Sequence, residues 1–176
     1  MNGNVFIPIE QAIDWYYGDN QILIDLALEA YTVKELEGET KDANDLKCVL
    51  RARLSLNEFF KDHVNEYDSL DNIIQLIKDN FYIACHDNII TPALMSAYKD
   101  VLMNYNIYEN ACSNDGTTFD YVVIYEDCPP VFVADGNTTV YCEDENAKIL
   151  ASDQASIYAV DNVEVTLKDC ATLERM

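Results

Sequence analysis

The sequence predicts an α+β chain: a helical N-terminal domain over residues 1–112, then a small parallel β-solenoid of eight-residue repeats within residues 113–176. Three observations carry this reading. Apolar residues recur at helical spacing as far as Cys112. Ser113-Asn114-Asp115-Gly116 is a turn-rich break. Beyond it the pattern becomes alternating and β-branched, with octads from about residue 130.

The helical elements follow from spacing and punctuation. Ile9, Ala12, Ile13 and Tyr16 mark one helix face, with Pro8 early and Gly18 at the stop. Asp19 caps a second helix carrying Ile22, Leu23, Leu26, Ala27 and Ala30. Thr32 caps a short turn, Val33 to Leu36, before Gly38, and residues 37–44 read as a polar connection. Leu46 to His63 is expected to be the longest helix, burying Leu46, Val49, Leu50, Leu54, Leu56, Phe59 and Phe60. Ser69 or Asp71 starts a helix bearing Ile73, Ile74, Leu76 and Ile77. Phe81 to Cys85 fits a helix end or a short strand. Thr91-Pro92 reads as N-cap and first helical residue of a last helix, with Leu94, Met95, Tyr98, Leu102 and Met103 inward.

The second module is a repeat. Octads begin at Thr138, Ala147, Ala155 and Val163, and Ala171 opens a fifth. The step is eight residues, except for nine at the first. Position three is Val140, Ile149, Ile157, Val165 and Leu173. Position five is Cys142, Ala151, Ala159 and Leu167, and position seven is Asp144, Asp153, Asp161 and Asp169. Positions one, three and five share one face of a strand. The aspartate makes the corner, where its short polar side chain tolerates turn geometry. Short strands without hairpin glycines stack as a solenoid rather than fold as a meander. Phe132 and Ala134 mark one earlier, degenerate turn. The number of octads per coil stays open at this point.

These octads resemble the Ala-x-Val-x-Ala-x-Asp-x solenoid repeats of uncharacterised proteins from gut bacteria and their phages. A second stretch is similar to a short helical module of Bacteroidales and Bacteroides-phage proteins. It comprises Ala12-Ile13-Asp14-Trp15-Tyr16-Tyr17, Leu23, Leu26-Ala27-Leu28-Glu29-Ala30-Tyr31 and Glu35-Leu36. The resemblance implies a phage or mobile-element setting and no particular activity.

Charge excludes more than it identifies. Eleven basic and 32 acidic side chains leave a net charge of −21. Such a chain is expected to bind neither nucleic acid directly nor an anionic membrane, since both need basic residues. Hydrophobic residues still make up 49%, which separates it from acidic disordered tails. Residues 113–176 hold 13 acids and three bases, nearly half the net charge on about a third of the chain. No apolar run approaches the ~18 residues of a membrane span. The Met1-Asn2-Gly3-Asn4-Val5-Phe6 start lacks a signal-peptide pattern, so a cytoplasmic location is expected, the host cytoplasm if the gene is a phage's. In that compartment Cys48, Cys85, Cys112, Cys128, Cys142 and Cys170 are expected as reduced thiols.

No phosphate loop, nucleophile elbow or zinc-protease motif occurs. Cys85-His86-Asp87 sets thiol, imidazole and carboxylate side by side, but sequence neighbours rarely converge as a catalytic set. The chain is therefore expected to be no enzyme and to require no metal or cofactor. Repeated corner aspartates could ligate Ca²⁺. The shortage of glycine, which calcium-binding nonapeptide repeats require, favours a corner role instead. The functional expectation is an acidic interaction protein that occupies the basic nucleic-acid-binding surface of a host protein, as an inhibitor or nucleic-acid mimic. Nucleases, including restriction and CRISPR effectors, are the candidate partners. The contact residues would be Glu143, Asp144, Glu145, Asp153, Asp161 and Asp169. The alternative is a phage virion or assembly component with a projecting solenoid.

Overall fold

A computed structural model describes residues 42–66, 69–113, 115–126 and 128–176. The helices expected between residues 9 and 36 lie outside them. The chain divides into two compact units: residues through Ile77 with Ser96–Tyr98, and Lys78–Met95 with Lys99–Met176.

In the first unit, helix α1 spans Ala43–Leu56. Asp42 caps it, its carboxylate accepting from the backbone N–H groups of Asn44 and Asp45 at 2.8 and 2.9 Å. Leu46, Val49, Leu50 and Leu54 form its buried face. The helix expected to run to His63 stops earlier. Asn57 is extended, and its side-chain oxygen accepts from the N–H groups of Phe59 and Phe60. This local bond competes with the helical ladder and starts a new turn that leads into a 3₁₀ helix, Lys61–Glu66. Phe60 is fully buried in consequence, whereas Phe59 is 46% exposed. Helix α2, Leu70–Asp79, begins at Ser69, whose hydroxyl accepts from the Asn72 N–H, and buries Ile73, Ile74 and Ile77.

The second unit holds α3 (Phe81–His86), part of α4 (Pro92–Ala97), α5 (Lys99–Met103) and the strands. Thr91 caps α4 through its hydroxyl, as the Thr-Pro pair predicts. The single last helix is divided at Tyr98, which leaves Met103 42% exposed rather than inward.

The octads form a parallel β-solenoid of about four turns. Its strands are β1 (Ile107–Glu109), β2 (Tyr121–Ile124), β3 (Phe132–Ala134), β4 (Thr139–Cys142), β5 (Lys148–Ala151), β6 (Ser156–Ala159), β7 (Glu164–Leu167) and β8 (Thr172–Arg175). One sheet, here sheet A, has the order β1-β2-β4-β6-β8; sheet B has β3-β5-β7. Thr139 pairs with Ser156 and Ser156 with Thr172, so each coil spends two octads, one per sheet. The nine-residue step falls in the corner 143–146, one residue longer than its counterpart 160–162.

Inward columns stack as the repeat dictates. Val140 lies beside Ile157 and Ile149 beside Val165, and the core closes around small side chains at Ala134, Cys142, Ala151 and Ala159. The outward face of sheet A is also covered. Tyr82 of α3 stacks on Tyr158 at 5.2 Å between ring centroids and tilts toward Tyr141 at 6.2 Å. Phe81 meets Tyr121 edge-on at 5.1 Å. The Tyr125 hydroxyl donates to the Ile90 carbonyl at 2.7 Å. Tyr141 is only 1% exposed although it points away from the solenoid interior.

The corners after sheet B strands carry a left-handed residue in each of three successive coils: Gly136 (φ 58°), Asp153 (φ 56°) and Asp169 (φ 55°). Aspartate is among the few non-glycine residues that tolerate this region. Glycine is required at 136 for a different reason: a Cβ there would lie 2.5 Å from the Gly116 carbonyl oxygen. Gly136→Ala is expected to cost about 1–3 kcal/mol through that clash and the positive φ, and Asp153→Gly about 1 kcal/mol or less. Urea unfolding of the two variants measures the difference.

Candidate interaction surface

The six acids expected to make the contact do not share one surface. Glu143, Asp144, Glu145 and Asp161 lie on the edge where sheet A strands turn into sheet B. Asp153 and Asp169 lie on the opposite edge, where sheet B returns to sheet A. The two-octad coil is the reason, since consecutive octads place position seven on alternate edges.

Corner chemistry accounts for two of the four repeat aspartates directly. Asp144 accepts from the Asn146 N–H at 3.0 Å and from the Cys128 N–H of the preceding coil at 3.2 Å. Asp153 accepts from the Gly136 N–H of the preceding coil at 3.0 Å. Backbone bonds run alongside: Gln154 donates to the Gly136 carbonyl and Cys170 to that of Asp153. These carboxylates tie coil to coil. Glu143 is exposed and accepts the Tyr141 hydroxyl at 2.6 Å. Glu145, Asp161 and Asp169 are exposed at the surface. The stacked strands hold the backbone of these corners, and along the first edge the acids follow one another from coil to coil at the ~4.8 Å strand spacing.

Further acids join both edges. Glu126 extends the first and Asp135 the second, both exposed. They were hidden in sequence because β2 and β3 precede the regular octads. Asp120 is 3% exposed and plays another part: it accepts from the Thr118 hydroxyl and the Ser113 N–H, pinning the loop between β1 and β2. In the same loop, backbone and hydroxyl donors from Thr117 and Thr118 hold the Asp115 carboxyl below its usual range.

The Cys85-His86-Asp87 run does not converge. Cys85 is a buried residue of α3, and burial, with Glu143 nearby, pushes its thiol well above the ordinary range. His86 is exposed and pairs with the adjacent Asp87 at 2.8 Å. Burial likewise raises the Cys112 thiol to about 11 and that of Cys142 to about 12, against the reactive thiolate state. None of the six cysteines, all of them described residues, is in a disulfide. Among the described residues no three His, Cys, Asp or Glu side chains form a metal-ligand group. No helix among them is long and apolar enough to cross a membrane. Compared with known proteins, the chain matches no family model, no curated protein and no solved structure.

Proposed function

We propose that the protein is an acidic binding scaffold that engages a basic, nucleic-acid-binding surface of another protein and competes there with nucleic acid. The observation that carries the reading is the edge bearing Glu126, Glu143, Asp144, Glu145 and Asp161, held on a stacked backbone. Its acids repeat about every 4.8 Å of solenoid axis, somewhat sparser than phosphates at about 3.4 Å per strand. A partner groove lined by Lys and Arg would meet a row of carboxylates on a stacked backbone, an attraction that salt screens as it does binding to phosphates. The octad resemblance supports a phage or mobile-element setting, in which a host nuclease is the fitting class of partner.

The test uses the full chain against a panel of basic-channel nucleases, with duplex DNA as competitor over a salt series. Affinity is expected to fall steeply with salt, and DNA is expected to displace the protein. The triple variant Glu143→Gln, Glu145→Gln, Asp161→Asn should bind about tenfold more weakly, as expected for several interfacial charges lost together. Asp144 is left intact because it holds a corner. Binding that ignores salt, or that DNA does not compete with, would refute the reading.

A further inference from the structure

An Asp-Gly pair is a chemically weak point in a chain. Glycine has no Cβ to shield its own nitrogen, so that nitrogen can attack the carboxyl carbon of the aspartate before it. The sequence holds two such pairs, Asp115-Gly116 and Asp135-Gly136. The fold brings them together. Both glycines have positive φ, 64° and 58°, and a Cβ on Gly136 would lie 2.5 Å from the Gly116 carbonyl oxygen.

Each pair is held at a different atom. At Asp115 it is the carboxyl group: Oδ1 accepts from the Thr117 and Thr118 N–H groups and from the Thr118 hydroxyl, each at 3.0 Å. These donors favour the ionised form, which is a poor target for a nucleophile. At Asp135 the side chain is exposed, and the peptide group that would react is held instead. The Gly136 N–H donates to the Asp153 carboxylate of the following coil at 3.0 Å. The Asp135 carbonyl accepts from the Thr138 hydroxyl at 2.7 Å, and the Gly136 carbonyl accepts from the Gln154 N–H at 3.0 Å. The Gly136 nitrogen cannot turn toward the Asp135 carboxyl without giving up its bond to Asp153.

We propose that Asp135 is a site of spontaneous isomerisation to isoaspartate, and that Asp153 clamps it, so that conversion occurs only when the corner between these coils opens. The Gly136 nitrogen forms a bond to Asp135 Cγ, and the carboxyl hydroxyl leaves with the nitrogen's proton as water. A water molecule then cleaves the bond between that nitrogen and the Asp135 main-chain carbonyl. The chain is left linked through the Asp135 side chain, with nothing oxidised or reduced. The product has one extra methylene in its main chain, at a corner where even a Cβ on Gly136 has no room. Conversion therefore keeps the corner from closing again. The test is prolonged incubation of the full chain, unaltered and as Asp153→Gly, at mildly acidic pH with and without urea. Asp153→Gly removes the carboxylate and tolerates the positive φ. Isoaspartate is read by mapping with endoproteinase Asp-N, which cleaves before aspartate but not before isoaspartate. In the unaltered chain Asp135 is expected to convert readily in urea and at least about tenfold more slowly when folded. In folded Asp153→Gly it is expected to convert about tenfold faster than in the folded unaltered chain, the factor for one charge-assisted hydrogen bond. Asp115, held by its own loop, is expected to keep its rate. Circular dichroism verifies that the variant is folded. Should it fail to fold, Asp153→Asn, a neutral and weaker acceptor that tolerates the same backbone, carries the comparison with a smaller expected rise. An Asp135 rate in a folded variant no higher than in the unaltered chain overturns the proposal. So does folded conversion as fast as in urea, absence of conversion in urea, or an equal rise at Asp115, which would make the effect a general loosening.

Discussion

Ile157→Ala is expected to lower the stability of the solenoid unit by about 3 kcal/mol, within the range for buried Ile-to-Ala truncations. Ile157 is 1% exposed, at the third octad position of β6, between Val140 and Leu173 in the same column. The core around it is narrow and built from Ala151, Ala155 and Ala159, side chains with no rotamers by which to fill a void. The cavity therefore persists, and its cost adds to the lost transfer free energy. Because each coil contacts only its neighbours, a defect in β6 also uncouples β8 from the rest of sheet A. Hydrogen exchange should accordingly quicken most across Thr172–Arg175, while urea unfolding measures the total. Val133→Ala is the comparison: Val133 points outward from β3, is 52% exposed, and should change stability by no more than about 0.5 kcal/mol. A loss below about 1 kcal/mol for Ile157→Ala would mean that the inward column does not hold the solenoid together.

Legibility differed between the two faces of the same strands. The inward face follows a single rule, apolar side chains at positions one, three and five, so Val140, Ile149, Ile157 and Val165 announced the solenoid. The outward face answers to whatever covers it. Tyr141 sits at an outward position and is nonetheless buried, because α3 delivers Tyr82 to that face. Nothing within an octad encodes a helix some sixty residues away. Similarly, β1 and β2 form the first rungs of sheet A without octad spacing, since the loop from Asn110 to Asp120 replaces a tight corner. Asp115 and Asp120 give that loop its own hydrogen-bonded structure. In the helical part, periodicity located α1, but Asn57 stopped it through a side-chain bond that apolar spacing does not register. The acidic positions were legible as residues but not as a surface. Their division between two edges follows only from the two-octad coil, and it narrows the proposed contact to the edge around Glu143 and Asp161.

Alkaline pH is expected to unfold the solenoid unit well before ionisation of an unstructured chain of this composition would be complete. Burial raises the phenols of Tyr125 and Tyr141 far above the ordinary 10.0, and Glu143, accepting the Tyr141 proton at 2.6 Å, adds to the second shift. The thiols of Cys112 and Cys142 rise from 9.0 to about 11 and about 12. Below pH 9 these groups are protonated in folded and unfolded chains alike, and their contribution is fully present. Above pH 9 the unfolded chain releases thiol protons that the folded chain keeps, and above pH 10 it releases the phenolic ones too. Stability then falls as pH rises, by on the order of 1 kcal/mol per pH unit for each buried group still protonated in the fold. Urea midpoints across pH 8–11 should decline with increasing slope, and tyrosinate absorbance should rise together with unfolding. Growing negative charge predicts a decline as well, but salt screens that repulsion and leaves the proton linkage in place. The double variant Tyr125→Phe, Tyr141→Phe separates the two causes. It gives up two hydrogen bonds, about 1 kcal/mol each at neutral pH, and should show a visibly flatter decline above pH 10. An unchanged slope in that variant would assign the alkaline loss to charge repulsion instead of to the buried phenols beneath α3.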